Sequence, residues 1–321
     1  MLFLNIILLL IGFVALIKGA DVFVDGSSAL AKNFKVPSVI IGLTIVAMGT
    51  SAPELAVSTS AALTGSNEIA LSNVVGSNIF NTLVVLGVVA CIHAVPVDKT
   101  ILKRDFPVCI TMTAALFLLV TKANVEFSSD MAAKAGMVDR ITGIILLAVF
   151  VIYIVVLIVD AKKNPTEGDE IASKSVPMSF ICIILGLIFI VLGGNVVVNS
   201  AKEIARMMGM TETLIGLTVI ALGTSLPELV TSIVAAKKGE VGLAVGNVVG
   251  SNIFNLLLIL GVSSTVHPIA VNFASIYDMI ILLVISIITF VFCLTGKKVN
   301  RIEGFLLVLM YVADMVFAIV R

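Results

Sequence analysis

The sequence predicts an all-α membrane protein of ten transmembrane helices. They form two inverted five-helix repeats, with kinked helices 2 and 7 at the centre. Three observations predict this. First, 60% of the 321 residues are hydrophobic and 12% are charged, with mean hydropathy +1.20, whereas a soluble domain is closer to half apolar and a quarter charged. Second, apolar runs long enough to cross a bilayer recur along the whole chain. Third, two long motifs are repeated at one fixed offset.

The spans read, in order, 2–32, 36–62, 69–92, 104–121, 138–159, 177–207, 212–236, 242–265, 274–295 and 302–320. The first lacks a basic start and a small-residue cleavage site, so it reads as a retained helix rather than a signal peptide. The first and sixth exceed the bilayer core in length, which calls for tilt or an amphipathic second half. The polar stretch between the fifth and sixth spans divides the chain into a first repeat (1–160), a short linker (161–176) and a second repeat (177–321). Net charge is zero and no large soluble segment is present, so neither nucleic acid nor nucleotide is expected as a partner. The four cysteines lie in or beside apolar runs without a CxxC pair, which reads as core packing.

The repeat is explicit. GLTIVAMGTSAPELAVS (42–58) aligns with GLTVIALGTSLPELVTS (216–232), and NVVGSNIFNTLVVLG (73–87) with NVVGSNIFNLLLILG (247–261), both at an offset of 174. Five spans per repeat is an odd number, so the second repeat must enter the membrane with opposite polarity. In such transporters the substrate site lies near the bilayer midplane, where the repeats meet. Thirteen lysines and arginines, among them Lys35, Lys99, Lys103, Arg104 and Lys163, fall on the linker side, against six on the other. This makes the linker cytoplasmic and both termini external.

Within the motif, Pro53 cannot donate to the carbonyl of Gly49, and its ring crowds that carbonyl. Pro227 does the same to Gly223. A kink is expected at each, with loosened carbonyls that only a partner can satisfy in lipid. Glu54 follows the first kink. Thr50, Glu54 and Ser58 share one helix face, with Ser51 at its edge; Thr224, Ser225, Glu228 and Ser232 repeat the pattern. Ser77 with Asn81, and Ser251 with Asn255, offer further oxygen faces. Joined, the halves would surround one point with carboxylates, hydroxyls, amides and carbonyls. Such a set of hard oxygen donors suits calcium, and a divalent ion would offset two glutamates that repel in low dielectric.

GTSAPE and GTSLPE, each followed by a VGSNIFN helix, resemble the two alpha repeats of the calcium/cation antiporter superfamily, in its sodium/calcium exchanger branch, and most of all the compact archaeal members. The resemblance implies antiport rather than enzymatic activity, no cofactor, and calcium and sodium as the transported ions. It implies central carboxylates at Glu54 and Glu228, with the carbonyls of Thr50 and Thr224 completing a calcium site. Ala47 (carbonyl), Ser51 and Ser77 would build one flanking sodium site. Ala221 (carbonyl), Thr224, Ser225 and Ser251 would build the other. It further implies electrogenic exchange of three sodium ions inward for one calcium outward, in the cell membrane, with helices one and six sliding across the rest. Some archaeal members and the potassium-dependent branch carry Asp at the position of Asn255; here both halves carry Asn, as in potassium-independent exchangers. The alternatives are a proton/calcium antiporter of the same fold and a gated cation channel.

Other polar residues have plainer readings. Ser58 and Ser232 read as packing. Asp21 and Asp25 either line an ion entry path or form a solvated face. Asp314 pairs with a polar neighbour. His93 and His267 are interfacial. No obligate protein partner is expected beyond the lipid bilayer.

Overall fold

The computed structural model describes residues 2–64, 68–122, 128, 130–165, 173–210, 219 and 221–320. The helices are α1 (Leu2–Phe34), α2 (Ser38–Thr50), α3 (Ala52–Leu63), α4 (Ile69–Ile92), α5 (Ile101–Thr121), α6 (Arg140–Lys163), α7 (Val176–Met207), α8 (Leu226–Lys237), α9 (Val241–Val266), α10 (Phe273–Gly296) and α11 (Arg301–Val320). Eight are each long and apolar enough to cross a membrane. The pair α2 and α3, bent by 48°, makes a ninth span among the described residues. The predicted span 212–236 falls partly outside the described residues, Gly216 with it; its second half is α8.

Local chemistry explains where these helices begin. Asp139 caps α6, its carboxylate accepting from the Thr142 amide at 2.7 Å. The residue is half-buried, and the amide bonds, the Thr142 backbone N–H first, hold its pKa below the usual range. Asn272 caps α10 by accepting from Ser275 N at 2.9 Å. At α11, Asn300 accepts from the amides of Ile302 and Glu303 while Glu303 accepts from Asn300 N, a reciprocal capping box.

Burial sorts the helices into layers. The window of α9 is 94% buried and that of α4 72%, whereas α11 is 11% buried and α1 17%. The two NVVGSNIFN helices therefore form the middle of the protein, and the exposed apolar faces of α1, α6, α7 and α11 form its rim. Such faces suit hydrocarbon, which solvates leucine as well as a protein core does.

Glycine sets the close approaches. A Cβ on Gly42 of α2 would lie 2.6 Å from the Leu243 carbonyl oxygen of α9, and one on Gly246 would lie 2.5 Å from that of Val39. Only glycine lets these two helices touch backbone to backbone. Along the rim, Gly12 of α1 faces Gly193 of α7, Gly19 faces Gly186, and Gly26 faces Ser179. The partner numbers fall as those of α1 rise, so these 33- and 32-residue helices run antiparallel along a seam of small residues.

Three features were not read from the sequence. Two short antiparallel ladders, Val95–Pro96 with Lys298–Val299 and Lys134–Val138 with Ile269–Asn272, tie loops of one half to loops of the other. Their strands are too short to carry a period-two signal. π-Helical turns occupy Gly42–Val46, Asn81–Val85, Ile101–Asp105 and Asn255–Ile259. The second and fourth recur at the repeat offset, each opening on a site asparagine. α5 begins at Ile101, earlier than the predicted 104, because this turn carries Ile101, Leu102 and Lys103 into the helix.

Candidate cation site

The breaks build the site. At Ser51 the backbone leaves the helix (φ −84°, ψ 7°) and α3 starts at Ala52, with Pro53 in its first turn, where a missing N–H costs nothing. Ser225 adopts nearly the same conformation (φ −92°, ψ 5°) before α8, with Pro227. Each break creates a helix N-terminus inside the membrane, and Glu54 and Glu228 occupy the first turns so created. The positive end of a helix dipole favours a carboxylate there. Opposite it, α2 ends at Thr50 with its carbonyls pointing the other way.

The halves exchange partners across the centre. Ser51 of the first repeat donates to Glu228 Oε1 at 2.9 Å. Ser225 of the second donates to Glu54 Oε1 at 3.1 Å. Ser77 on α4 lies 3.4 Å from the same Glu54 oxygen and 3.1 Å from Ser225 Oγ. The hydroxyls of Thr50 and Ser251 lie against Glu228, and the two carboxylates are near enough to repel one another. Glu54 is 1% exposed and Glu228 not at all. An ionised pair this deeply buried is costly unless a cation or proton accompanies it.

Several oxygens on the helices that carry the site have no hydrogen-bond partner among the described residues: Glu54 Oε2, Glu228 Oε2, Thr224 Oγ1 and Asn255 Oδ1. Both amide atoms of Asn81 are likewise unpartnered. Buried polar atoms are almost always satisfied. This group of exceptions is a donor set of the kind a hard cation takes, carboxylates and neutral oxygens together.

Other residues expected as ligands have these positions. The Ala47 carbonyl accepts from Ser51 N at 3.0 Å, and the Thr50 hydroxyl lies 3.4 Å from it. Thr50 Oγ1 also donates to Asn247 at 3.0 Å. Asn255 donates to Asn78 Oδ1 at 2.9 Å. Ala221 belongs to the short turn Ala221–Gly223, and its side chain lies outside the described residues.

Four braces were missed in the sequence. Asn73 Nδ2 donates to Ser58 Oγ at 2.9 Å and reaches the Glu54 carbonyl at 3.4 Å. Asn247 does the same for Ser232, at 3.0 Å, and for Glu228 O, at 3.4 Å. Each asparagine thus clamps the helix carrying its glutamate to the central helix behind it. Asn78 donates to Asn252 O, and Asn252 to Thr82, across the repeats. All four stand inside the duplicated NVVGSN string, so their repetition was the available signal. Outside the site, Lys238 pairs with Asp21 and Asp25, and His93 and His267 lie exposed against neighbouring carbonyls.

Together these features define a polytopic helical membrane protein whose two internal copies pool their carboxylates at one buried point. The sodium/calcium exchanger protein family model matches residues 4–159 and 178–320. Sodium/calcium exchanger MaX1 of Methanosarcina acetivorans is 33% identical over 341 residues, covering 97% of each chain. Inner membrane protein YrbG of Escherichia coli is 33% identical over 297 residues, 89% of this chain and 87% of that one. Among solved structures, the sodium-calcium exchanger NCX_Mj superposes with a TM-score of 0.83 at 31% identity, over the whole of both chains. The chain belongs to the sodium/calcium exchanger family. It is a multi-pass membrane antiporter of the calcium/cation class, a transporter and not an enzyme.

Proposed function

We propose that this protein exchanges sodium for calcium by alternating access around the site that Glu54 and Glu228 share. One observation carries the reading: each glutamate is held by a serine from the opposite repeat, so both carboxylates meet at one buried point. Calcium can neutralise both carboxylates at once, as sodium ions binding together also can. A transporter that leaves its site charged and empty pays a large desolvation cost in either direction, so movement is coupled to occupancy. Glu54, Glu228 and the carbonyls of Thr50 and Thr224 hold calcium. Ala47, Ser51, Ser77 and Asn81 on one side, and Ala221, Thr224, Ser225, Ser251 and Asn255 on the other, complete the sodium positions.

The architecture in this reading is ten spans in two inverted repeats, 1–160 and 177–321, with α8 the inner half of the seventh span. The equal offset of both motifs supports it, as does the antiparallel α1–α7 pair. The linker is cytoplasmic and both termini are external in the cell membrane, in keeping with the lysine and arginine bias. Three sodium ions enter for each calcium exported, and net charge moves. Sodium rather than proton is the counter-ion because MaX1 and NCX_Mj are sodium/calcium exchangers by name.

The test is flux. Proteoliposomes loaded with sodium and diluted into sodium-free medium take up labelled calcium. Glu54→Gln and Glu228→Gln each abolish that uptake in a folded protein. Uptake driven by a pH jump and indifferent to sodium identifies the proton-coupled rival. Uptake down a calcium gradient with no counter-ion identifies a channel.

A further inference from the structure

We infer that the hollow between the start of α5 and the end of α6 is a binding site for an anionic phospholipid. It has a volume of about 490 Å³ and is lined by Lys99, Lys103, Arg104 and Lys163, with Asp160 among them, and by Val155, Val156 and Val159. The spacing assembles this lining from two elements. Val155, Val159 and Lys163 follow one another at intervals of four on α6, so two valines run up to one ammonium on a single face. Lys99 and Lys103, about one turn apart, face them from the other side.

The charges are arranged for a ligand from outside. Arg104 is committed inward: its guanidinium grips Asp105, which is fully buried, at 2.7 and 3.1 Å, and reaches Asp160 at 2.6 Å. Tyr153 OH donates to Asp105 as well. This network fixes the floor. Asp98 is turned to Thr100, bonding its amide and hydroxyl. Lys99, Lys103 and Lys163 are exposed and form no ion pair with the described residues. Three ammonium groups therefore line the hollow against the single negative charge that Arg104 leaves uncompensated on Asp105 and Asp160, at the end of a wall of valines that are 42–52% exposed. A free anion would use the cations and leave the valines bare. A phospholipid uses both, placing its phosphate among the lysines and its first acyl carbons against the valines. Basic recesses between spans at the membrane surface are suited to anionic head groups.

The experiment uses the full-length protein in phosphatidylcholine nanodiscs titrated with phosphatidylglycerol, with retained phosphatidylglycerol read by native mass spectrometry. The wild type is expected to retain the lipid. Lys99→Gln, Lys103→Gln and Lys163→Gln each weaken retention about fivefold, and the triple variant does so roughly a hundredfold. A triple Lys→Arg variant retains it. Equal retention by the wild type and the triple Gln variant overturns the proposal. So does equal loss in the Arg variant, because charge would then not be the cause. Displacement of the lipid by inorganic phosphate at comparable concentration assigns the hollow to a free anion and overturns it. The acidic linker residues Glu167, Asp169 and Glu170 are the remaining rival occupant. A tenfold gain in retention on replacing them with amides would assign the hollow to them instead.

Discussion

Ser225 Oγ bonds both Glu54 Oε1 and Ser77 Oγ, whereas Ser51 Oγ, among the described residues, bonds only Glu228 Oε1. The two serines stand at equivalent positions of the repeat, so the site is not symmetric at the scale of single atoms. Hydrogen bonds to charged groups contribute roughly 1.5–3 kcal/mol. Ser225→Ala is therefore expected to weaken calcium half-saturation by about tenfold or more and Ser51→Ala by less; equal effects would deny Ser225 its bridging role. Asn73→Ala and Asn247→Ala strand a buried serine and loosen the helix behind each glutamate, at a cost of about 1–3 kcal/mol each. Thermal unfolding in detergent checks this, and an unchanged midpoint would show that Asn73 and Asn247 brace nothing. The glutamates were legible in the sequence because a carboxylate beside a proline is doubly expensive in lipid. The asparagine braces were not, since an asparagine in a helix could equally serve helix packing, and only its position opposite Ser58 or Ser232 decides.

Among elements, the Gly42–Gly246 contact sets how close α2 comes to α9, and hence how far Ser51 reaches toward Glu228. Gly42→Val adds a branched side chain where a Cβ alone would be 2.6 Å from a carbonyl oxygen. It is expected to force the helices apart, lowering stability by about 1–3 kcal/mol and calcium uptake with it. A second element contact breaks the repeat. Lys238, just past α8, sits 2.7 Å from Asp21 and 2.5 Å from Asp25 on α1. Its counterpart at the offset of 174 is Thr64, whose side chain, among the described residues, bonds only to its own helix, at the Ser60 and Ala61 carbonyls. Partial burial alone would lower the Lys238 pKa, but the bonds to Asp21 and Asp25 outweigh it and raise it. The stabilising charge is thus fully present below the ordinary lysine range and is lost only as pH rises through the raised value. If α1 moves during transport, Lys238→Gln should speed exchange by roughly two- to fivefold at low salt and have no effect at high salt. Equal rates at low salt would separate this tie from the transport cycle. The 48° bend was readable from Pro53, whereas the ladders at Val95–Pro96 and Ile269–Asn272 were hidden because two to five residues cannot announce a strand.

At the scale of the whole molecule, occupancy and stability are linked. An ion that binds only the folded protein stabilises it by about 2.7 kcal/mol at a hundred times its dissociation constant. Calcium should therefore raise the unfolding midpoint of the wild type, and a chelator should reverse the rise. Glu54→Gln and Glu228→Gln should respond to neither; a calcium-dependent shift in either variant would move the site elsewhere. The link exists because the centre that binds the ion also joins the two halves through the Ser51–Glu228 and Ser225–Glu54 bonds. By itself, the sequence determined a helical membrane protein with a duplicated, proline-broken and glutamate-bearing segment, since composition, helix length and repetition are local quantities that survive in one dimension. Tertiary structure alone decided that each glutamate takes its serine from the other half, that Asn73 and Asn247 hold the broken helices in place, and that α1 and α7 run antiparallel along a glycine seam. These depend on ångström distances between residues some 170 positions apart, and such distances exist only once the helices have packed.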